Sequence, residues 1–274
     1  MALVINNNIS SLSAQRNLEN TSNKLSSSFE RLSSGLRITR ASDDPAGLAI
    51  SEAFRADIAS FEQAKRNASD GISLLQIAEG ALNESSSTLI RLKQLSIQSA
   101  NGTLGTAERT SLNNEFQLLV AEISRVANVT EFNGSNILNN SSLQVTFQVG
   151  INSTANDRIT VSGANATATG LAIVGLSIGT SAVALSAISA LNTAIGTLAS
   201  VRGKLGTAQN RLESTIRSLA VSVENSSAAE SRIRDVDVAD ESARLTRFQV
   251  LQQAGVSVLS QANFSTQIAL NLLQ

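Results

Sequence analysis

Leu191, Leu198, Leu205, Leu212 and Leu219 recur every seven residues, and Ile195, Arg202, Gln209, Ile216 and Val223 follow each of them by four. Five sustained heptads describe the seam of a coiled-coil-like helix rather than a lone surface helix. At 1.5 Å per residue such a helix runs on the order of 50 Å, so it needs a partner of similar length along its whole side. The sequence offers one. Leu75, Leu82 and Leu89 keep the same period in a segment that runs from Pro45 to about Ala100.

Pro45 is the only proline in the chain. It disfavours helical geometry at Asp44 before it, yet its ring suits the first turn of a helix that Asp44 can cap. Asp44 and Pro45 therefore mark a helix break. One helix is expected to end near residue 40, and the next to begin at Pro45. The earlier helix carries Ile5, Ile9, Leu12, Leu18, Leu25, Phe29, Leu32 and Leu36, a stripe with one phase shift. Past the "NGTLG" break a shorter helix is expected, with Leu112, Phe116, Leu119, Ile123 and Val126 in steps of four and three.

Between the helical halves the texture changes. "SLQVTFQVGI" alternates Leu143, Val145, Phe147, Val149 and Ile151, the pattern of a half-buried strand. "NSTAND" reads as a turn and "RITVSG" as the antiparallel partner. "GANATATGLAIVGLSIGTSA" is rich in small residues and is expected to be a linker or weak strand pair. The fold class expected is mainly α, an elongated antiparallel coiled-coil-like helical rod with a small β-hairpin region. Its N- and C-termini pair as long helices. The divisions expected are 1–44 with 235–274, 45–140 with 182–234, and 141–181.

The last 26 residues, "QVLQQAGVSVLSQANFSTQIALNLLQ", carry no charge. Their apolar side chains occupy more than one helix face: Leu251, Val258 and Leu272 point one way, while Leu259 and Leu273 lie about 100° round. A two-helix pair covers one face of each partner, so Phe264, Ile268 and the remainder need further cover. Burying one such side chain contributes about 1.5–3 kcal/mol. Ordering one residue of backbone costs about 1–2 kcal/mol, so half-covered helices are poorly supported. The ends are expected to be largely disordered alone and to fold when other copies surround them.

Composition narrows the function. The 274 residues contain no Cys, His, Trp or Tyr, and Lys plus Arg number 21 against 22 for Asp plus Glu. Imidazole bases, thiolates and most transition-metal sites are thereby ruled out. No Gly-rich phosphate loop or spaced acidic signature marks an enzyme, a cofactor site or a metal site. A net charge of -1 lacks the footprint of a nucleic-acid binder. The wholly apolar runs are shorter than a membrane span, no basic face favours a membrane surface, and no signal peptide is visible.

Both ends carry motifs that resemble bacterial flagellin: "INNNISSLSAQRNL", "RLSSGLRITRASDDPAGLAIS" and "LQQAGVSVLSQANFSTQIALNLL". "IRLKQLSIQSANGT" and "TEFNGSNIL" are similar to the family's mid-helix stretch and to its segment before a β-hairpin. The resemblance implies a filament subunit whose paired terminal helices form an inner tube, with the long helices as its shell and almost no outer-domain insertion. On that resemblance Ile5, Ile9, Leu12, Leu251, Val258, Leu259, Phe264, Ile268, Leu272 and Leu273 are assembly-interface candidates. It further implies type III export to an extracellular filament, an export chaperone on the C-terminal helix, and a filament cap and hook–filament junction proteins as partners. The family's surface for a flagellin-sensing Toll-like receptor maps to Arg91, Leu95 and Glu115. The chain departs from that pattern at Gln94, Ser96 and Ile97. A hook–filament junction protein of the same export system or an intracellular coiled-coil scaffold is the alternative. "LQQAGVSVLSQAN" favours the filament subunit.

Overall fold

A computed structural model describes residues 7–271 of this chain, with side chains described through residue 264. Its helices are α1 (Ile9–Ser34), α2 (Pro45–Ala100), α3 (Thr106–Val129), α4 (Ser181–Arg234) and α5 (Val238–Asn271). Its strands form two small antiparallel pairs. β1 (Glu131–Phe132) pairs with β2 (Ser135–Asn136), and β3 (Gln144–Gln148) pairs with β4 (Arg158–Ser162). The mainly α, antiparallel architecture expected from periodicity is present. The chain divides into two compact units, Met1–Ala56 with Asn225–Gln274, and Asp57–Glu224.

In the second unit the heptads meet as their spacing requires. Leu75, Leu82 and Leu89 of α2 are buried, as are Leu191, Leu198, Leu205, Leu212 and Leu219 of α4. The two helices run antiparallel. Gly71 faces Leu212, Glu79 bonds Arg202, and the Ser181 hydroxyl donates to the Ala100 carbonyl at 2.9 Å. Arg202 follows Leu198 by four, where a coiled coil places its flanking charges, and its Nη2 lies 2.6 Å from Glu79 Oε1. By length and composition α4 is apolar enough to cross a bilayer, although its wholly apolar runs are short. Its heptad leucines are instead buried in protein. α3 adds Phe116, Val120, Ile123 and Ala127 to the same core.

β3 and β4 form the expected hairpin, with Val145 opposite Val161 and Phe147 opposite Ile159. The segment after it corrects the linker reading. Ala164, Ala166, Ala168, Leu171, Ile173 and Ile178 are all buried. α3 side chains supply the partners its irregular backbone needs. Ser124 Oγ accepts from Ala168 N–H, Asn113 Oδ1 accepts from Ile178 N–H at 2.9 Å, and Gln117 donates to the Leu176 carbonyl at 2.7 Å. Small residues here let the backbone lie close against a helix.

The first unit is built around the break at Asp44. α1 ends at Ser34 rather than near residue 40, because Gly35 adopts φ 72° and closes the helix with its N–H on the Arg31 carbonyl. The chain then runs beside the junction of α4 and α5. Leu36 bridges Asp235, Val236 N–H donates to the Gly35 carbonyl, and Arg37 N–H donates to the Arg234 carbonyl. α2 starts at Pro45 as expected, and Asp44 Oδ1 caps it by accepting from Gly47 N–H at 2.9 Å.

Candidate assembly surface

α1 and α5 pair antiparallel within the first unit. Asn8 caps α1 through Ser11 N–H, and its Nδ2 donates to the Ala262 carbonyl at 2.9 Å. The Ser11 hydroxyl donates to Asn263 Oδ1 at 2.8 Å. Further along, Leu18 packs against Gly255, where a side chain would come within 3.2 Å of its Cδ1. The residues of α1 that become buried are Ser11, Ala14 and Ser28.

This pair covers its apolar residues only in part: Ser11 and Ala14 are buried and Leu18 is half-buried against Gly255, while other large apolar side chains lie in water. Ile9 is 71% exposed and Leu12 is also exposed. On α5, Leu251 and Val256 are exposed, Val258 is 58% exposed and Phe264 56%. Leu259 is half-buried. Ile5, Leu272 and Leu273 lie outside the described residues, and Ile268 lies beyond the described side chains. Val238 and Val250 are exposed as well, and the α5 periodicity alone does not single them out. So many large apolar side chains exposed on one helix pair point to an interaction face.

The loop before Pro45 is pinned by electrostatics. Burial works to raise the Asp43 carboxyl, but hydrogen bonds from Arg40 N–H, Thr39 N–H and the Thr39 hydroxyl, with the Arg31 charge, outweigh it and hold it below the ordinary aspartate value. Glu52 on α2 is likewise held low, chiefly by hydrogen bonds from Arg234 and Arg55. The Arg234–Glu52 contact is 2.8 Å.

The receptor-candidate residues separate. Arg91 on α2 donates from Nε at 3.1 Å and from Nη2 at 2.8 Å to Glu115 Oε1 on α3, and both side chains are about half exposed. Leu95 is corrected: it has no exposed surface and is a core residue, so it is no surface anchor in this fold. It lies three residues after the buried Leu92 and belongs to the same core. Ile90 and Ile97 are the exposed apolar neighbours. Among the described residues no group of three or more Asp or Glu side chains is placed to hold a metal ion.

Paired terminal helices that leave several large apolar side chains in water fit the class of self-associating helical proteins. Comparison with known proteins agrees. The family model for the bacterial flagellin N-terminal helical region matches residues 5–142, and that for the C-terminal helical region matches 188–273. The chain belongs to the bacterial flagellin family. It is 44% identical to a flagellin of Halalkalibacterium halodurans, over 99% of this chain and all of that protein. It is 42% identical to a flagellar filament 33 kDa core protein of Treponema phagedenis, again over 99% of this chain and all of the relative. The crystal structure of Bacillus cereus flagellin matches 56% of this chain and 88% of its own, at 29% identity and a TM-score of 0.51.

Proposed function

We propose that this chain is a structural subunit of a bacterial flagellar filament, and that it polymerises through the outer faces of α1 and α5. The observation that carries the reading is the exposure of Ile9, Leu12, Leu251, Val258 and Phe264 on a helix pair that already buries Ser11 and Ala14 and half-buries Leu18 against Gly255. Neighbouring copies would supply the missing cover, with the pairs together forming an inner tube and the heptad-packed helices a surrounding shell. The filament serves swimming motility.

The same surface bears on delivery. A subunit with this much exposed apolar area needs protection before it reaches the filament, which supports a chaperone on α5 and export to the extracellular filament in an unfolded state. Addition beneath a cap protein, at a filament begun on hook–filament junction proteins, completes this route. Arg91 and Glu115, exposed and mutually oriented, are the residues offered to a flagellin-sensing Toll-like receptor. Leu95 acts only by supporting the helix that carries Arg91.

Electron microscopy after salt-induced assembly tests the main reading. The parent chain is expected to form filaments. A Leu251→Glu, Val258→Glu chain is expected to stay monomeric with its helix content retained. Filaments of normal length from that variant would overturn the assignment of this face.

A further inference from the structure

The second unit also holds a groove that neither its core nor the assembly surface uses. It runs along β4 on the side away from β3, with α4 as the opposite wall, and has a volume of about 1000 Å³. The hairpin register fixes which backbone groups face it. Val149 N–H donates to the Asp157 carbonyl at 2.8 Å, and Gly163 N–H donates to the Leu143 carbonyl at 2.6 Å. Hydrogen-bonded and unbonded pairs alternate along an antiparallel ladder. Val145 with Val161 and Phe147 with Ile159 are therefore bonded pairs, while Arg158, Thr160 and Ser162 turn their N–H and C=O groups outward.

The two edges of the hairpin are treated differently. On β3 the outward carbonyl of Gln148 is taken up by Asn67 of α2 at 3.0 Å. On β4, Thr160 and Ser162 line the groove, and among the described residues no α4 group bonds to their backbone. Facing them α4 presents Thr197, Ser200, Thr207 and two cations, Lys204 and Arg211. Neither cation pairs with a carboxylate among the described residues, and no Asp or Glu lines this groove. Beyond Arg211 a second hollow is lined by Arg158, whose Nε donates to the neutral Gln148 side chain, and by Asp157, whose carboxylate accepts from the Thr154 hydroxyl.

An open strand edge recognises extended backbone, whatever its sequence. Unpaired cations across from it select negative charge. We propose that this groove docks an extended acidic segment of another protein, which adds to β4 as a third strand with its carboxylates against Lys204 and Arg211.

Fluorescence polarisation on the full-length monomer, held at low salt without assembly, tests this. The probe is a fluorescein-labelled ten-residue peptide of alternating Thr and Glu. Saturable binding is expected, at least 10-fold tighter than for the Thr/Lys counterpart. Two further probes carry backbone N-methyl groups on every second residue, in one phase or the other. Because only one edge of the added strand faces β4, one phase is expected to bind at least 10-fold more weakly. A Lys204→Glu, Arg211→Glu chain, both sites being exposed, is expected to lose binding of the Thr/Glu probe with unchanged circular dichroism. Absence of saturable binding, equal binding of the Thr/Lys peptide, or full binding by both methylated phases would each overturn the proposal. The methylated probes act on the parent chain, so their outcome is independent of how any variant folds.

Discussion

Leu95 and Val258 are both aliphatic residues on long helices, yet they answer to different partners. Leu95 is fully buried in the core, so Leu95→Ala is expected to destabilise the isolated chain by about 2–5 kcal/mol, read by denaturant unfolding. Val258→Ala removes a side chain that is already in water, and monomer stability is expected to change by no more than about 0.5 kcal/mol. Filament yield should instead fall. The Arg91–Glu115 pair sits between these extremes. A double-mutant cycle on so exposed a pair is expected to give about 0.2–1 kcal/mol. Arg91→Ala or Glu115→Ala is expected to lower receptor signalling by the monomer with little change in unfolding; equal signalling by parent and variants would remove the receptor role. Sequence periodicity carried a warning about Leu95. Leu89, Leu92 and Leu95 step by three along a face already claimed by the heptads, whereas Arg91 falls between them.

At the scale of elements, ends and irregular segments were harder to read than helix bodies. The leucine heptads specified α2 and α4, because a long seam repeats its demand at every turn. The end of α1 escaped, since Leu36 continues the apolar stripe while Gly35 has already reversed the chain. There is open space around Gly35, so the cost of Gly35→Ala is conformational alone and is expected to be about 1–2 kcal/mol, seen as faster amide exchange in the last turn of α1. The hairpin β1–β2 went unread, although Asn133–Gly134 take φ 49° and 74° as a two-residue turn requires. The buried run after β4 had no such signal: alanines at alternate positions resemble a linker until a helix is laid against them. Loop 35–44 also has a pH signature. Asp43 has a folded value below its unfolded value of about 3.9, so it contributes stability at neutral pH that is lost as pH falls through the folded value. Exchange at the Thr39 and Arg40 amides is expected to rise in that acid window, and Asp43→Asn is expected to flatten the dependence.

For the whole molecule, the two units make separate predictions. The unit spanning Asp57–Glu224 holds the heptad core and is expected to remain folded when Val256 to Gln274 are deleted, leaving a soluble chain that forms no filaments. The terminal pair has its apolar faces in water, so α1 and α5 are expected to show weak amide protection in dilute monomer and strong protection after assembly. Strong protection in the monomer would contradict the account of its cover. The Asn8 to Ala262 hydrogen bond joins residues 254 apart, whereas the heptad seam first closes between Ala100 and Ser181, 81 apart. Loop-closure entropy falls by about 0.6 kcal/mol with each halving of loop length, so zipping the seam first makes the terminal pair progressively cheaper to close. Chain topology thus favours an order of folding. The proposed assembly faces are expected to form last, after the rest of the subunit has become compact, which shortens the interval in which they can associate wrongly.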